Sequence, residues 1–112
     1  MAEASQTSEA ARRYASALFD LAQENGVLAD VQTAFSRFAE TVSGSKDLSR
    51  LIASPLFARD DKAGVLKQVA ESAEMPELFA RFLGTVAMNG RAADLPATHD
   101  AFEALYAKQR GV

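Results

Sequence analysis

The segment from Ala11 to Gly26 predicts an amphipathic helix with two apolar stripes, although one stripe is enough to bury a helix. The first stripe holds residues three or four positions apart: Ala10, Tyr14, Ala17 and Leu21. The second stripe, beside it, holds Ala15, Leu18, Phe19 and Ala22. A stripe about 100° wide normally packs a helix against its own domain. A helix with two stripes is either surrounded by neighbours or keeps one face for a partner, and we base a functional hypothesis on the second possibility.

Helix stops and caps divide the chain into six predicted helices. Their predicted bounds are Thr7 or Ser8 to Asn25-Gly26, Ala29 to Ser43, Lys46 (capped by Ser45) to Ala53, Asp60 to Ala73, Met75-Pro76 to Asn89-Gly90, and Asp94 to Gly111. Glycine after asparagine is typical of a left-handed helix end, and proline is tolerated in a first turn. No segment alternates apolar and polar residues with period two. We therefore predict an all-α fold, a six-helix bundle with two short helices, as a single domain over residues 1–112.

Three expectations concern packing within this bundle. The short connection between the first two helices predicts that they form an antiparallel pair. After Ser54-Pro55, the apolar residues Leu56 and Phe57 are expected to fold back onto the core. The fourth helix is expected to point Val65, Leu66, Val69 and Ala73 inward.

The fifth helix is apolar almost all round between Leu78 and Met88. A fully buried central helix has this pattern. So does one wall of a groove that accepts an amphipathic helix from another chain through anchors at i, i+3, i+4 and i+7. The small residues Gly84, Ala15 and Ala17 favour close approach of another backbone. Both interpretations remain open at this stage.

Composition excludes several functions. The formal net charge is −3, and a mildly acidic chain is a poor binder of nucleic acid or of anionic lipid surfaces. No cysteine is present, which excludes disulfides, thiolate zinc sites and a cysteine nucleophile. No apolar run is long enough to span a membrane, and residues 1–7 lack the basic start of a signal peptide.

The sequence contains no recognisable catalytic or cofactor motif, so we predict no enzyme activity, no cofactor and no metal. The sole histidine, His99, has Asp94 and Asp100 nearby, but a metal site normally needs three or four ligands from separated segments. We expect His99 to be an exposed helix residue. Two alternatives stay open: a helical adaptor that binds some other amphipathic helix, and an enzyme whose site leaves no trace in the sequence.

Three stretches resemble a known family in the order in which it has them. They are RRYASALFDLAQENG, then SPLF followed by Asp61-Lys62, then MNGRAADLPATHDAFEALY. Together they are similar to the N-terminal domain of the ATP synthase delta subunit, whose mitochondrial counterpart is the oligomycin-sensitivity-conferring protein. The resemblance covers nearly the whole chain, from about Ala10 to Tyr106.

The resemblance implies a non-catalytic stator subunit of an F-type ATP synthase. In that family the N-terminal six-helix bundle sits on the catalytic head and binds N-terminal helical segments of the alpha subunits between its first and fifth helices. A second domain meets the b-subunit peripheral stalk, so that the head does not turn with the rotor during proton-driven ATP synthesis. The implied location is peripheral, on the cytoplasmic side of the bacterial inner membrane, with no nucleic acid bound and no direct membrane insertion.

Carried onto this chain, the resemblance assigns eight residues to partner binding: Tyr14, Ala17, Leu18 and Leu21 on the first helix, and Phe82, Thr85, Val86 and Asn89 on the fifth. Tyr14 is also compatible with a packed core aromatic, and Asn89 with Gly90 suits a helix stop better than a contact. Family members often have Ser or Thr where this chain has Ala58, so the cap of the fourth helix must come from Asp60 or water. The sequence stops at Val112, where the family continues, so we expect a fragment without the stalk-binding domain.

Overall fold

The computed structural model describes residues 8–111, within which six α-helices and one short 3₁₀ helix form the whole of the regular structure. The helices are α1 (Glu9–Glu24), α2 (Leu28–Ser43), α3 (Lys46–Ala53), α4 (Arg59–Ser72), α5 (Glu77–Met88) and α6 (Leu95–Gln109), and the 3₁₀ helix is Ala92–Asp94. The predicted all-α bundle is confirmed. The shortest helices are α3, with 8 residues, and α5, with 12.

The ends of α1, α4 and α5 share one hydrogen-bonding motif. Gly26 and Gly90 adopt φ of +70° and +76°, and the amide that follows each bonds back to a carbonyl five residues earlier. These are the expected asparagine-glycine stops. The same motif ends α4, but there the left-handed residue is Glu74, with φ of +56°. The predicted end of α4 at Ala73 is one residue beyond Ser72, but the left-handed residue was not identified, because glutamate carries no turn preference.

The starts of the helices follow the prediction less closely. Ser8 caps α1 through its Oγ, which accepts a hydrogen bond from Ala11 N at 3.0 Å, whereas the alternative cap Thr7 lies outside the described residues. Ser45 caps α3 in the same way. Pro76 stands at the N-cap of α5 and not within its first turn.

Two predicted aspartate caps need correction. Ala58 is the N-cap of α4 and supplies no side-chain bond, although Asp60 Oδ1 accepts a hydrogen bond from the amide of Asp61 at 2.9 Å. Asp94 precedes α6 but does not cap it with its side chain. Because Asp94 belongs to the 3₁₀ helix, its carboxylate lies 3.4 Å from the guanidinium of Arg91.

The helices pack as two long pairs around a central helix. The closest pairings are α4 with α5 and α1 with α6, while α2 contacts α1, α3, α5 and α6. The helices α1 and α2, which were predicted to pair, are in contact, but α1 packs more extensively against α6. The reason lies in the second apolar stripe: Phe19 meets Phe102 of α6 at 5.9 Å between ring centroids, and small residues such as Ala15 allow close approach.

An aromatic cluster centred on Phe35 of α2 joins the elements. Its ring centroid lies 5.0 Å from that of Phe79, 6.0 Å from that of Phe82 and 5.7 Å from that of Phe102. Tilted and edge-on ring pairs at such distances stabilise a core beyond the area that they bury. The cluster thereby fixes α5 and α6 against α2.

The predicted inward positions of Leu56, Phe57 and Val65 are wrong. Leu56 is 90% exposed and Phe57 43% exposed, because the short connector between α3 and α4 runs over the surface. The amide of Leu56 bonds to Ser54 Oγ within this turn. Val65 is 39% exposed, since α4 packs instead through the buried residues Ala63, Leu66 and Ala70.

His99 is not the exposed residue that was expected. Its side chain is only 19% exposed, and its ring centroid lies 5.0 Å from that of Phe35. Its Nε2 lies 3.2 Å from Glu103 Oε2, and the same carboxylate accepts hydrogen bonds from Gln32 and Ser36. The burial of His99 could not be predicted from spacing because Phe35, which packs on its ring, comes from α2, far away in the chain. Residues 8–111 hold no group of three or more His, Cys, Asp or Glu placed to bind a metal ion.

Candidate partner-binding groove

An open groove of about 480 Å³ lies between α1 and α5, and we call it the α1/α5 groove. Its lining residues are Tyr14, Ala17, Leu18, Leu21 and Asn25 from α1 and the turn after it, and Leu78, Arg81, Phe82 and Thr85 from α5. Six of the eight residues predicted for partner binding are among them. The structure thus brings together most of the set that the sequence suggested.

The wall formed by α1 follows from its two apolar stripes. Ala15, Phe19 and Ala22 of the second stripe are buried within the bundle. Tyr14, Ala17 and Leu21 of the first stripe line the groove, and Leu21 is 48% exposed. Leu18 is fully buried and also lines the groove, so it forms part of the floor. The stripe that the bundle does not need is the one left facing the groove.

The wall formed by α5 combines both interpretations of that helix. Phe79 and Leu83 are buried in the core, and Ala80 and Gly84 are buried on the side of the helix that they share. Leu78 and Phe82 are half-buried and line the groove, together with the exposed Thr85. The helix is therefore buried over most of its surface and open along one narrow face.

An aromatic pair connects the two walls. The ring centroids of Tyr14 and Phe82 lie 6.3 Å apart with the planes at 79°, an edge-to-face contact. Phe82 also stacks on Phe79 at 6.2 Å, which ties the groove to the core cluster. The Tyr14 hydroxyl accepts a hydrogen bond from Asn89 Nδ2 at 2.9 Å. Tyr14 is thus at once a packed aromatic and a groove residue.

Val86 and Asn89 occupy different places from those expected. Val86 is fully buried and does not line the α1/α5 groove, so the expectation for it is corrected. The reason is helical geometry: a step of four residues from Phe82 advances by about 400°, and the extra 40° turns Val86 toward the core. Asn89 is the C-cap of α5 and reaches the groove only through its bond to Tyr14.

Three lining residues were missed by sequence analysis. Asn25 follows Leu21 by four positions, and Leu78 and Arg81 precede Phe82 and Thr85 by four. Extending each predicted stripe by one helical turn finds all three. Asn25 was instead assigned to the helix stop, where it also acts, since its Nδ2 donates to Leu21 O at 2.8 Å.

The chemistry of this lining suits an apolar helix. Arg81 is the sole charged side chain among the nine lining residues. Acid–base or nucleophilic catalysis requires adjacent titratable groups, which these residues do not supply. The groove can therefore hold an apolar face and meet one acidic group at its edge.

Comparison with known sequences decides the family. The family described as ATP synthase delta (OSCP) subunit matches residues 10–112 of this chain. The chain belongs to this family. Its similarity to individual relatives agrees: ATP synthase subunit delta of Hyphomonas neptunium is 50% identical over 107 residues, and that of Caulobacter vibrioides is 45% identical over 112 residues. The resemblance noted in the sequence is thereby confirmed.

The match covers the chain more fully than it covers the relatives. It includes 96% of this chain and 59% of the Hyphomonas protein, and 100% of this chain and 61% of the Caulobacter protein. The chain thus spans about three fifths of the length of these delta-subunit relatives. No solved structure matches it significantly. Among the described residues of this delta-family chain, none of the helices has the length and apolar character needed to cross a membrane.

Proposed function

We propose that this chain is the part of a delta subunit that holds N-terminal helical segments of the ATP synthase alpha subunits. The exposed apolar lining of the α1/α5 groove carries the proposal. Leu21, Ala17 and Phe82 leave apolar surface in the groove that the bundle itself does not cover. An amphipathic helix covers such a surface with anchors at i, i+3, i+4 and i+7.

Each wall has a distinct role in this binding. Ala17 keeps the side of the groove low, so that a partner helix can settle between the walls. Tyr14 offers an apolar ring, and its hydroxyl is held by Asn89 at the edge. Phe82 presents its exposed part to the partner while its buried part packs on Phe35 and Phe79. Tyr14, Ala17 and Phe82 are the expected central anchors, because binding energy concentrates in packed central residues.

The role that follows is a non-catalytic one in the stator. The chain holds the catalytic head, and the family's further domain reaches the b-subunit stalk, so the head stays fixed while the rotor turns. We assign that stalk contact to the further part of the subunit; this chain matches about three fifths of the relatives' length. The site of action is the cytoplasmic face of the bacterial inner membrane. A contact under repeated load favours slow dissociation, and differences in affinity reside mainly in the off-rate.

An NMR titration tests the proposal. The ¹⁵N-labelled chain is titrated with a synthetic peptide from the N-terminus of the alpha subunit of the same source. We expect saturable shifts concentrated on the residues of the α1/α5 groove. Shifts spread evenly over the bundle would place the partner elsewhere. Binding of an unrelated amphipathic peptide with equal affinity would favour the general helical adaptor.

A further inference from the structure

A second depression, of about 550 Å³, lies on the other side of α5, and we call it the α4/α5 groove. Its lining includes Lys67 and Gly64 from α4 and Gly84 and Met88 from α5. Arg81 and Thr85 line this groove and the α1/α5 groove alike. These two residues, one helical turn apart, therefore form a ridge between the two neighbouring depressions.

The charges on this double surface have one sign. Lys67 and Arg81 are the charged residues among all those that line the two grooves, although the chain as a whole has a net charge of −3. Within residues 8–111, neither of them makes an ion pair with a carboxylate. Other exposed cations do find such partners, for example Arg13 with Glu9 and Arg91 with Asp94. The surface thus presents two positive charges beside an apolar groove.

Gly84 explains how Lys67 reaches this position. A Cβ atom at Gly84 would lie 2.9 Å from Cδ and 3.2 Å from Cγ of Lys67. The absence of a side chain lets the aliphatic part of Lys67 lie flat on α5, with its ammonium group left for solvent or a partner. Glycine inside a helix is unfavourable compared with alanine. The contact with Lys67 therefore gives a structural reason for glycine at position 84.

We propose that Lys67 and Arg81 form a basic edge that selects an acidic amphipathic helix. The partner places its apolar face in the α1/α5 groove and extends acidic side chains over the ridge toward Arg81 and Lys67. A guanidinium binds a carboxylate with two parallel hydrogen bonds, which fixes orientation as well as affinity. The inference rests on the proposed function, since it specifies the chemistry of the alpha-subunit segment that the groove holds.

Calorimetric titration with two peptides tests the basic edge. One is the N-terminal peptide of the alpha subunit, and the other has every Asp and Glu replaced by Asn and Gln. Arg81→Gln and Lys67→Gln are each expected to weaken binding of the acidic peptide about three- to tenfold. Neither substitution should change the affinity for the neutral peptide. Arg37→Gln is the matched control, because Arg37 is an exposed cation on α2 that lines neither groove. It should change neither affinity.

Gly84→Ala separates the seating of Lys67 from its charge. The added methyl group displaces the aliphatic part of Lys67, so the affinity for the acidic peptide should fall by a similar factor. The helix content of the protein should be retained. In the Lys67→Gln background the same change should have little further effect.

The outcomes distinguish this inference from the proposed function. Equal affinity of the native chain for the acidic and neutral peptides overturns the basic edge. So does an Arg81→Gln or Lys67→Gln variant that behaves like Arg37→Gln. If in those cases Ala17→Asp still abolishes binding, the α1/α5 groove stands and the basic edge alone fails. If neither peptide binds the native chain, both proposals fail.

Discussion

The two flanks of α5 differ in how the neighbouring helix meets it. Along one flank α4 lies close over most of its length, with buried small residues on both helices, such as Ala63, Ala70, Ala80 and Ala87. Along the other flank α1 approaches over a short stretch, and the contact there is the edge-to-face pair of Tyr14 and Phe82. Small residues let α4 and α5 pack closely beneath the mostly exposed lining of the α4/α5 groove, whereas two aromatic rings hold α1 and α5 apart.

The difference shows that the open flank results from packing within the bundle. Phe82 is held by Phe35 and Phe79, and Tyr14 is held by Asn89, so both rings that separate the walls are fixed by the fold. A groove held open in this way does not have to form at the moment of binding. Preorganisation of this kind improves affinity by reducing the ordering that association requires.

The largest effect is expected from a charge placed on the open flank. Ala17→Asp should weaken binding of the alpha-subunit peptide by about 3 kcal/mol or more, because the bound state would bury an unpaired carboxylate. The fold should persist, since Ala17 is exposed in the free chain. Ser16→Asp, also exposed on α1 but outside the groove lining, is the control. Normal binding by Ala17→Asp, measured by the same NMR titration, would refute the groove assignment.

The same enlargement on the two flanks should have unequal effects on stability. Ala87→Leu adds three carbons at a fully buried position of α5 and should lower the free energy of unfolding by about 1–3 kcal/mol. Ala17→Leu should change it by less than about 0.5 kcal/mol, because the groove has room. Urea unfolding of both variants measures the difference. Similar values for the two would mean that the closed and open flanks are not distinct in packing.

The glycine stops of α1 and α5 allow a finer comparison. Gly26→Ala and Gly90→Ala should each destabilise by about 1–2 kcal/mol, because both residues have positive φ. Gly90→Ala should cost about 0.5 kcal/mol more, since its Cβ would lie 2.8 Å from Arg59 Nη2 and displace the bond from Arg59 to Met88 O.

The control for comparing Gly26→Ala with Gly90→Ala is to make both substitutions in the Arg59→Ala variant. There the two glycine substitutions should cost the same amount in thermal or urea unfolding. A difference that survives the loss of Arg59 would contradict the explanation.

The smallest expected effect is a gain in stability on the closed flank. Glu74 ends α4 with φ of +56°, in the position where α1 and α5 have glycine. Glu74→Gly removes that backbone strain and should raise the free energy of unfolding by about 0.5–1 kcal/mol, after the entropy of glycine in the unfolded chain is included. Glu71→Gly, within the helix, should destabilise instead. A loss of stability in Glu74→Gly would show that its side chain contributes more than its backbone costs.

The sequence predicted helices and stops well because these depend on nearby residues. Ser8, Gly26 and Gly90 act where their intrinsic preferences place them. The end of α4 was predicted within one residue, but the left-handed conformation of Glu74 was not, since the surrounding structure imposes it on a residue that does not itself prefer it.

Pairing of helices was harder to predict, because it depends on contacts distant in sequence. The partner of α1 is α6, and the environment of His99 is set by Phe35 and by Glu103 with its bonds to Gln32 and Ser36. Most of the groove lining was predicted through the family resemblance, and the surplus first stripe of α1 agrees with that assignment. Val86, which the resemblance also assigned to the groove, is buried because a four-residue step from Phe82 turns it toward the core.

The pairing of α1 with α6 has a consequence for biosynthesis. A ribosome adds about 5–20 residues per second, so roughly 4–17 s pass between completion of α1 and completion of α6. During this interval Phe19 has no Phe102 to pack against, so the face of α1 that packs on α6 lacks its partner. The helix that supplies one wall of the α1/α5 groove therefore completes its packing only after the last of the six described helices has been made.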